Sequence, residues 1–276
     1  MKRLALLLTL LLSLALLLSG CAAKAAPSAS NTGSKTVKLG LTGTDSRVWK
    51  DVQARAAKEG IKLELIYFSD YVRPNQALAE GEINANAFQT KIYFDDFKAK
   101  HGLDLTSIGD TVIAPMGIYS QKVKSVTELK DGAKIGIPND ATNGGRALVL
   151  LQSAGLIKLR PGAGNVPTKK DIAENPKKFE IIELVATQIP RSLPDLDAAA
   201  INNGVAVQAG MNPVTDSIYI EDFKSKDAEP YVNIIAARTK DKDDATLKRI
   251  VALYQTEETK KALQDEFKGA TIPAWK

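Results

Sequence analysis

The sequence predicts an α/β protein of two lobes that share a central ligand cleft. Three observations carry the prediction: strand-like alternation and helix-like spacing take turns along the body, two such units follow one another, and no long linker parts them. Residues 37–41 alternate apolar and polar side chains as a short strand, and residues 46–58 carry helical spacing through Val48, Val52, Arg55 and Ala56. Residues 62–68 alternate again. Pro74 suits the first residue of a helix that runs to Ala79 and closes at Gly81, and residues 83–88 read as the next strand. This βαβαβ order argues for a parallel sheet covered by helices on both faces. A second unit begins near Val123, with a strand at 134–138, a turn at Asn143-Gly144 and an apolar helix over 146–154 closed by Gly155. Further strands are expected at 180–185, 198–201 and 232–237, and amphipathic helices over 243–254 and 257–267 end the chain. In such folds small molecules bind between the lobes, at the carboxyl ends of parallel strands.

Composition removes several function classes. The 276 residues are 44% hydrophobic and 25% charged, with one Cys and one His. One Cys forms no internal disulfide, and the pair cannot supply a tetrahedral zinc site. The net charge of +5 falls to +3 (35 Lys+Arg against 32 Asp+Glu) once Lys2 and Arg3 are set aside with the leader. So small and unclustered an excess gives no reason to expect nucleic acid.

That leader is Met1-Lys2-Arg3 followed by an apolar run over 4–18, the order of a secretory signal and too short for a comfortable membrane span. It ends in Leu18-Ser19-Gly20-Cys21, which resembles the lipobox of bacterial lipoproteins. The expectation is a signal peptide over 1–20, lipidation at Cys21, and a flexible tether over 21–35 rich in Ala, Ser, Gly, Asn and Thr. Ala22 after the cysteine would favour outer-membrane sorting in a Gram-negative cell.

Enzyme motifs are absent: no GxSxG, Walker A, HExxH or dinucleotide fingerprint occurs. His101 sits at a polar helix end, and Asp95 and Asp96 are adjacent and so point in different directions on a helix. Binding motifs are richer. Asp70-Tyr71-Val72-Arg73-Pro74-Asn75 forms a loop after a strand, and Asn84-Ala85-Asn86-Ala87-Phe88-Gln89 occupies the next strand end. Tyr71, Phe88 and Tyr93 suit either an apolar pocket or plain core, whereas two Asn on one strand are hard to explain by burial. The stretch 138–146 runs from a strand end into a helix start, an anion seat to which Arg146 adds a two-bond carboxylate grip. Arg146 could instead pair with a structural Asp or Glu. Ile201-Asn202-Asn203-Gly204 ends another strand with amides able to accept from an ammonium and donate to a carboxylate. Together these describe a site for a zwitterion with an apolar side chain.

These residues resemble the methionine-binding, NlpA-type lipoproteins that serve ABC importers. The resemblance covers 38–275 through the blocks above and through Gln188-Ile189-Pro190-Arg191-Ser192-Leu193, Ala209-Gly210-Met211-Asn212-Pro213 and Pro230-Tyr231-Val232-Asn233. It implies a type II periplasmic-binding-protein fold that closes on a small amino acid and docks on a transmembrane permease, with no cofactor and no enzymatic step. By position, Arg146 would hold the ligand carboxylate, Asn202 and Asn233 its backbone groups, and Tyr71, Phe88 and Tyr93 its side chain. Thr90 stands where family members carry His beside the methionine side chain, which changes pocket volume and leaves methionine, a close analogue, another amino acid or a methionine-containing dipeptide as ligands. The lobes are expected at 36–118 plus 228–276 and at 119–227. An exported enzyme or an adhesin-like surface lipoprotein are the remote alternatives.

Overall fold

The computed structural model describes residues 35–222 and 226–275; the signal peptide, Cys21 and nearly all of the tether expectation lie outside them. The chain runs β1 (Lys35–Thr42), α1 (Arg47–Lys58), β2 (Ile61–Phe68), α2 (Arg73–Glu80), β3 (Ala85–Thr90), α3 (Lys91–His101), β4 (Leu105–Ile113) and β5 (Gly117–Tyr119). It continues through β6 (Lys134–Pro138), α4 (Ala141–Ser153), β7 (Lys158–Leu159), β8 (Ile172–Glu174), β9 (Glu180–Leu184), α5 (Ile189–Ser192), β10 (Ala198–Ile201), α6 (Asn203–Gln208) and β11 (Ser217–Ile220). β12 (Val232–Arg238), α7 (Ala245–Tyr254), α8 (Glu257–Phe267) and β13 (Ile272–Pro273) complete it.

Two large sheets organise these elements, one per lobe: a six-stranded sheet in the order β13-β4-β12-β3-β1-β2 and a five-stranded sheet in the order β11-β5-β10-β6-β9, with β7 and β8 forming a small sheet of their own. The expected βαβαβ unit is present, since β1 pairs in parallel with both β2 and β3. The sheets are mixed rather than parallel throughout. β12 runs antiparallel to β3 and β4, and β5 runs antiparallel to β10 and β11. β4 escapes periodicity because only Leu105 and Thr111 of its nine residues are fully buried, so no alternation marks it.

Local chemistry fixes the ends near the cleft. Ser46 caps α1 by accepting from the Trp49 N–H at 3.2 Å, and Asp70 accepts from the Val72 and Arg73 N–H groups at 2.8 Å each, turning the chain from β2 into α2. α4 begins earlier than its sequence suggests. Asn143 and Gly144 are helical, and Asp140 is the N-cap, accepting from the Asn143 N–H at 2.9 Å. A Cβ at Gly144 would lie 2.7 Å from the Pro138 carbonyl oxygen, so glycine lets the first turn press against the end of β6. The usual helix penalty of glycine, about 1 kcal/mol, is offset by that close approach.

β4 and β5 belong to different sheets, as do β11 and β12, so the chain changes sheet at 114–116 and again after Ile220. These crossings are tied together where the Glu221 N–H donates to Met116 O at 3.0 Å and the Met116 N–H donates to Glu221 Oε2 at 3.1 Å. β5 pairs in the second sheet from Gly117 onward. Among the described residues no helix is long and apolar enough to cross a membrane.

Candidate functional site

A cavity of about 180 Å³ opens between the strand ends of the two sheets. Tyr71, Phe88, Thr90, Tyr93, Arg146, Asn202 and Asn233 all line it, drawn from six places in the chain. Tyr71 follows β2, Phe88 and Thr90 end β3, Tyr93 sits in the first turn of α3, Arg146 in the second turn of α4, Asn202 follows β10, and Asn233 stands opposite Thr90 in the β12–β3 register.

Three aromatic rings form one wall. Ring centroids lie 5.8 Å apart for Tyr71 and Phe88 and 6.1 Å for each of these with Tyr93, the last two pairs edge-on. The Tyr93 hydroxyl donates to the Tyr71 carbonyl oxygen at 2.8 Å, which fixes the loop that carries Tyr71. Burial, with a smaller push from the Asp140 charge, raises the phenol pKa of both Tyr71 and Tyr93, so both stay neutral.

Behind the wall lies a closed amide network. Asn75 Nδ2 donates to Gln89 Oε1 at 2.7 Å, Gln89 Nε2 returns to Asn75 Oδ1 at 2.7 Å and reaches Asn86 Oδ1 at 2.9 Å, and Asn86 Nδ2 donates to Asn75 Oδ1 at 2.9 Å. All three side chains are buried. The network ties the first turn of α2 to β3, holding the Tyr71 loop against the strand that carries Phe88. It accounts for one of the two asparagines on that strand, and Asn84 is spent on the fold as well, accepting from the Lys38 N–H at 2.8 Å.

Opposite stands the polar half. Asn202 Nδ2 donates to Asn143 Oδ1 at 2.7 Å, and Asn143 Nδ2 donates to both Asp140 carboxylate oxygens at 3.0 and 3.1 Å. This chain of contacts orients Asn202 and leaves its Oδ1 buried without a partner among the described residues, an acceptor suited to an ammonium group. Asn143 was embedded in a motif that the sequence singled out, yet its place beside Asn202 depends on a contact across 59 residues. Asn233 is held more loosely, donating to Val112 O at 3.3 Å and Tyr231 O at 3.4 Å.

Arg146 resolves both ways. It lines the cavity, but its two-bond grip goes to Glu221, Nε donating to Oε1 at 2.9 Å and Nη2 to Oε2. Nη2 also donates to Ala114 O at 2.9 Å, and the Tyr231 ring packs 4.2 Å from Cζ. Nη1 has no protein acceptor among the described residues. In this structure the fork of Arg146 is taken by Glu221, the carboxylate pairing that the sequence left open as the alternative to a ligand. At the start of α4 the Asp140 carboxylate caps the Asn143 N–H. Nothing local in the sequence marks Glu221 as the partner, for it lies 75 residues from Arg146.

Thr90 has a double duty. Its side chain faces the cavity, and its Oγ1 caps α3 by accepting from the Tyr93 N–H at 3.3 Å. His101 packs on Phe97 with ring centroids 4.3 Å apart at the far end of that helix. Among the described residues no group of three or more His, Cys, Asp or Glu could hold a metal ion.

With this geometry in place, comparison with known proteins is specific. The family described as NlpA lipoprotein matches residues 37–275. The chain is 45% identical over 244 residues to the D-methionine-binding lipoprotein MetQ of Salmonella typhimurium, covering 87% of this chain and 88% of that protein. Among solved structures it is similar to a nutrient binding protein from Burkholderia cenocepacia bound to methionine, with a TM-score of 0.82 and 45% identity over 87% of this chain and 100% of that one. The substrate binding protein of a methionine transporter from Streptococcus pneumoniae superposes with a TM-score of 0.82 at 35% identity, covering 87% of this chain and 96% of that one. The architecture is thus the two-lobed type II periplasmic-binding-protein fold. Sequence, fold and cavity agree, and the chain belongs to the NlpA lipoprotein family.

Proposed function

We propose that the chain is a non-enzymatic, lipid-anchored solute-binding protein that faces the periplasm or cell exterior, holds L-methionine or a close analogue, and delivers it to the permease of an ABC importer. One observation carries the reading: an aromatic box faces an unpartnered carboxamide oxygen and a guanidinium across a single cavity. In this reading Tyr71, Phe88 and Tyr93 enclose the apolar side chain, Asn202 Oδ1 accepts from the ammonium, and Arg146 Nη1 with Asn233 holds the carboxylate. The lipid on Cys21 would keep the body at the membrane, and the lobes would hinge near 114–116 and Glu221, where the chain leaves one sheet for the other.

Thr90 favours a second reading, a different amino acid or a methionine-containing dipeptide, because a small hydroxyl replaces an imidazole beside the side-chain pocket. Mass spectrometry of the ligand released from natively purified protein, followed by calorimetry with L-methionine, D-methionine and norleucine, separates the two. Methionine recovered and bound more tightly than norleucine is the expected result; an unrelated ligand, or none of the three bound, overturns the methionine assignment. Thr90→His is expected to change the ranking of these ligands, and an unchanged ranking would place Thr90 outside the selecting wall.

A further inference from the structure

We propose that Thr187, Asn203 and Gln208 form a latch that sets how slowly the cleft releases its ligand. Each is a side chain of the second lobe donating to a main-chain carbonyl of the first. Thr187, between β9 and α5, donates from Oγ1 to Ser69 O at 2.9 Å. From α6, Asn203 Nδ2 donates to Ala270 O at 3.2 Å and Gln208 Nε2 to Thr42 O at 3.1 Å. The three acceptors stand at the end of β1, after β2 and before β13, while Thr42, Thr187, Asn203 and Gln208 line the cavity itself. Main-chain carbonyls at such positions move only with their lobe, so the bonds exist together at one lobe separation and lengthen together when the hinge opens.

Gly43 supplies the independent observation. It has φ +97°, and a Cβ there would lie 1.9 Å from Gln208 Oε1. The seat for the Gln208 amide is therefore cut into the first lobe by the absence of a side chain. Gly43 N–H donates to Phe68 O at 2.9 Å, which fixes that seat to the ends of β1 and β2. None of these groups is among those assigned above to the ammonium, carboxylate or side chain of the ligand, so the latch acts on lobe closure rather than on ligand chemistry.

The inference rests on the proposed function, and its test keeps the two apart. Dissociation of L-methionine is followed by stopped-flow fluorescence for the wild-type chain, Gln208→Ala, Thr187→Val and the double variant. Each neutral bond at the rim is expected to raise the dissociation rate about 2- to 5-fold, the factors multiplying in the double variant, with association little changed. Gly43→Ala is expected to weaken binding further, through backbone strain at φ +97° and through the collision with that amide, and the part due to the collision is expected to vanish when Gln208 is also Ala. Dissociation of the double variant within 2-fold of wild type, or a Gly43→Ala penalty indifferent to residue 208, overturns the latch. A wild-type chain that does not bind L-methionine overturns the ligand assignment instead, and the same rates are then read with the molecule recovered by mass spectrometry.

Discussion

Replacing Arg146 by alanine tests the centre of this site, and the structure changes what that substitution should do. A residue that served the ligand alone could be removed with the fold intact. Arg146 is 4% exposed and its partner Glu221 18% exposed, so truncation leaves a largely buried carboxylate with only the Met116 N–H as a hydrogen-bond donor among its described contacts. It also strands the Ala114 carbonyl and removes the cation that packs on Tyr231. Breaking a buried pair from one side costs about 3 to 5 kcal/mol, and the part of Glu221 that still meets water favours the lower end, ~3 kcal/mol. With a urea slope of about 3 kcal/mol/M, the midpoint should fall by about 1 M. Circular dichroism against urea reads this on ligand-free protein. Arg146→Met combined with Glu221→Gln should recover much of the loss, since no charge is then left unpaired, yet should not recover ligand binding. An Arg146→Ala midpoint equal to that of wild type would refute the argument that Glu221 depends on this guanidinium.

Two more expectations follow from buried polar groups. Burial pushes the Glu266 carboxyl above its ordinary pKa of 4.5, against the Val48 N–H that it accepts at 2.8 Å. A carboxyl raised on folding contributes its full stability below the unfolded pKa and loses it as pH rises through the folded one. Relative to wild type, Glu266→Gln should therefore gain stability as pH rises from about 4.5 and then level off; a difference that is flat with pH would contradict the assignment. Asn75→Leu removes the hub of the amide network and leaves Asn86 and Gln89 short of partners, at about 1 to 3 kcal/mol for each orphaned group. Thermal unfolding should show that loss, and methionine affinity should fall with it because Phe88 is no longer braced; unchanged affinity in the folded variant would limit the network to stability.

The chain's own residues determined the order of elements and the position of most strand ends. Periodicity and capping are local properties: Ser46, Pro74, Gly81 and Gly155 act on the backbone beside them. That is why Tyr71, Phe88 and Asn202 could be placed at strand ends and Arg146 near a helix start, and one cavity gathers them with Tyr93. The tertiary structure alone decided what each polar group touches. No local pattern marks the closure of Asn75 and Gln89 around Asn86, and none chooses Glu221 over a ligand as the partner of the Arg146 fork. Hydrogen-bond partners depend on which segments folding brings within 3 Å or so, and that distance is set by packing across many residues, which no local pattern encodes.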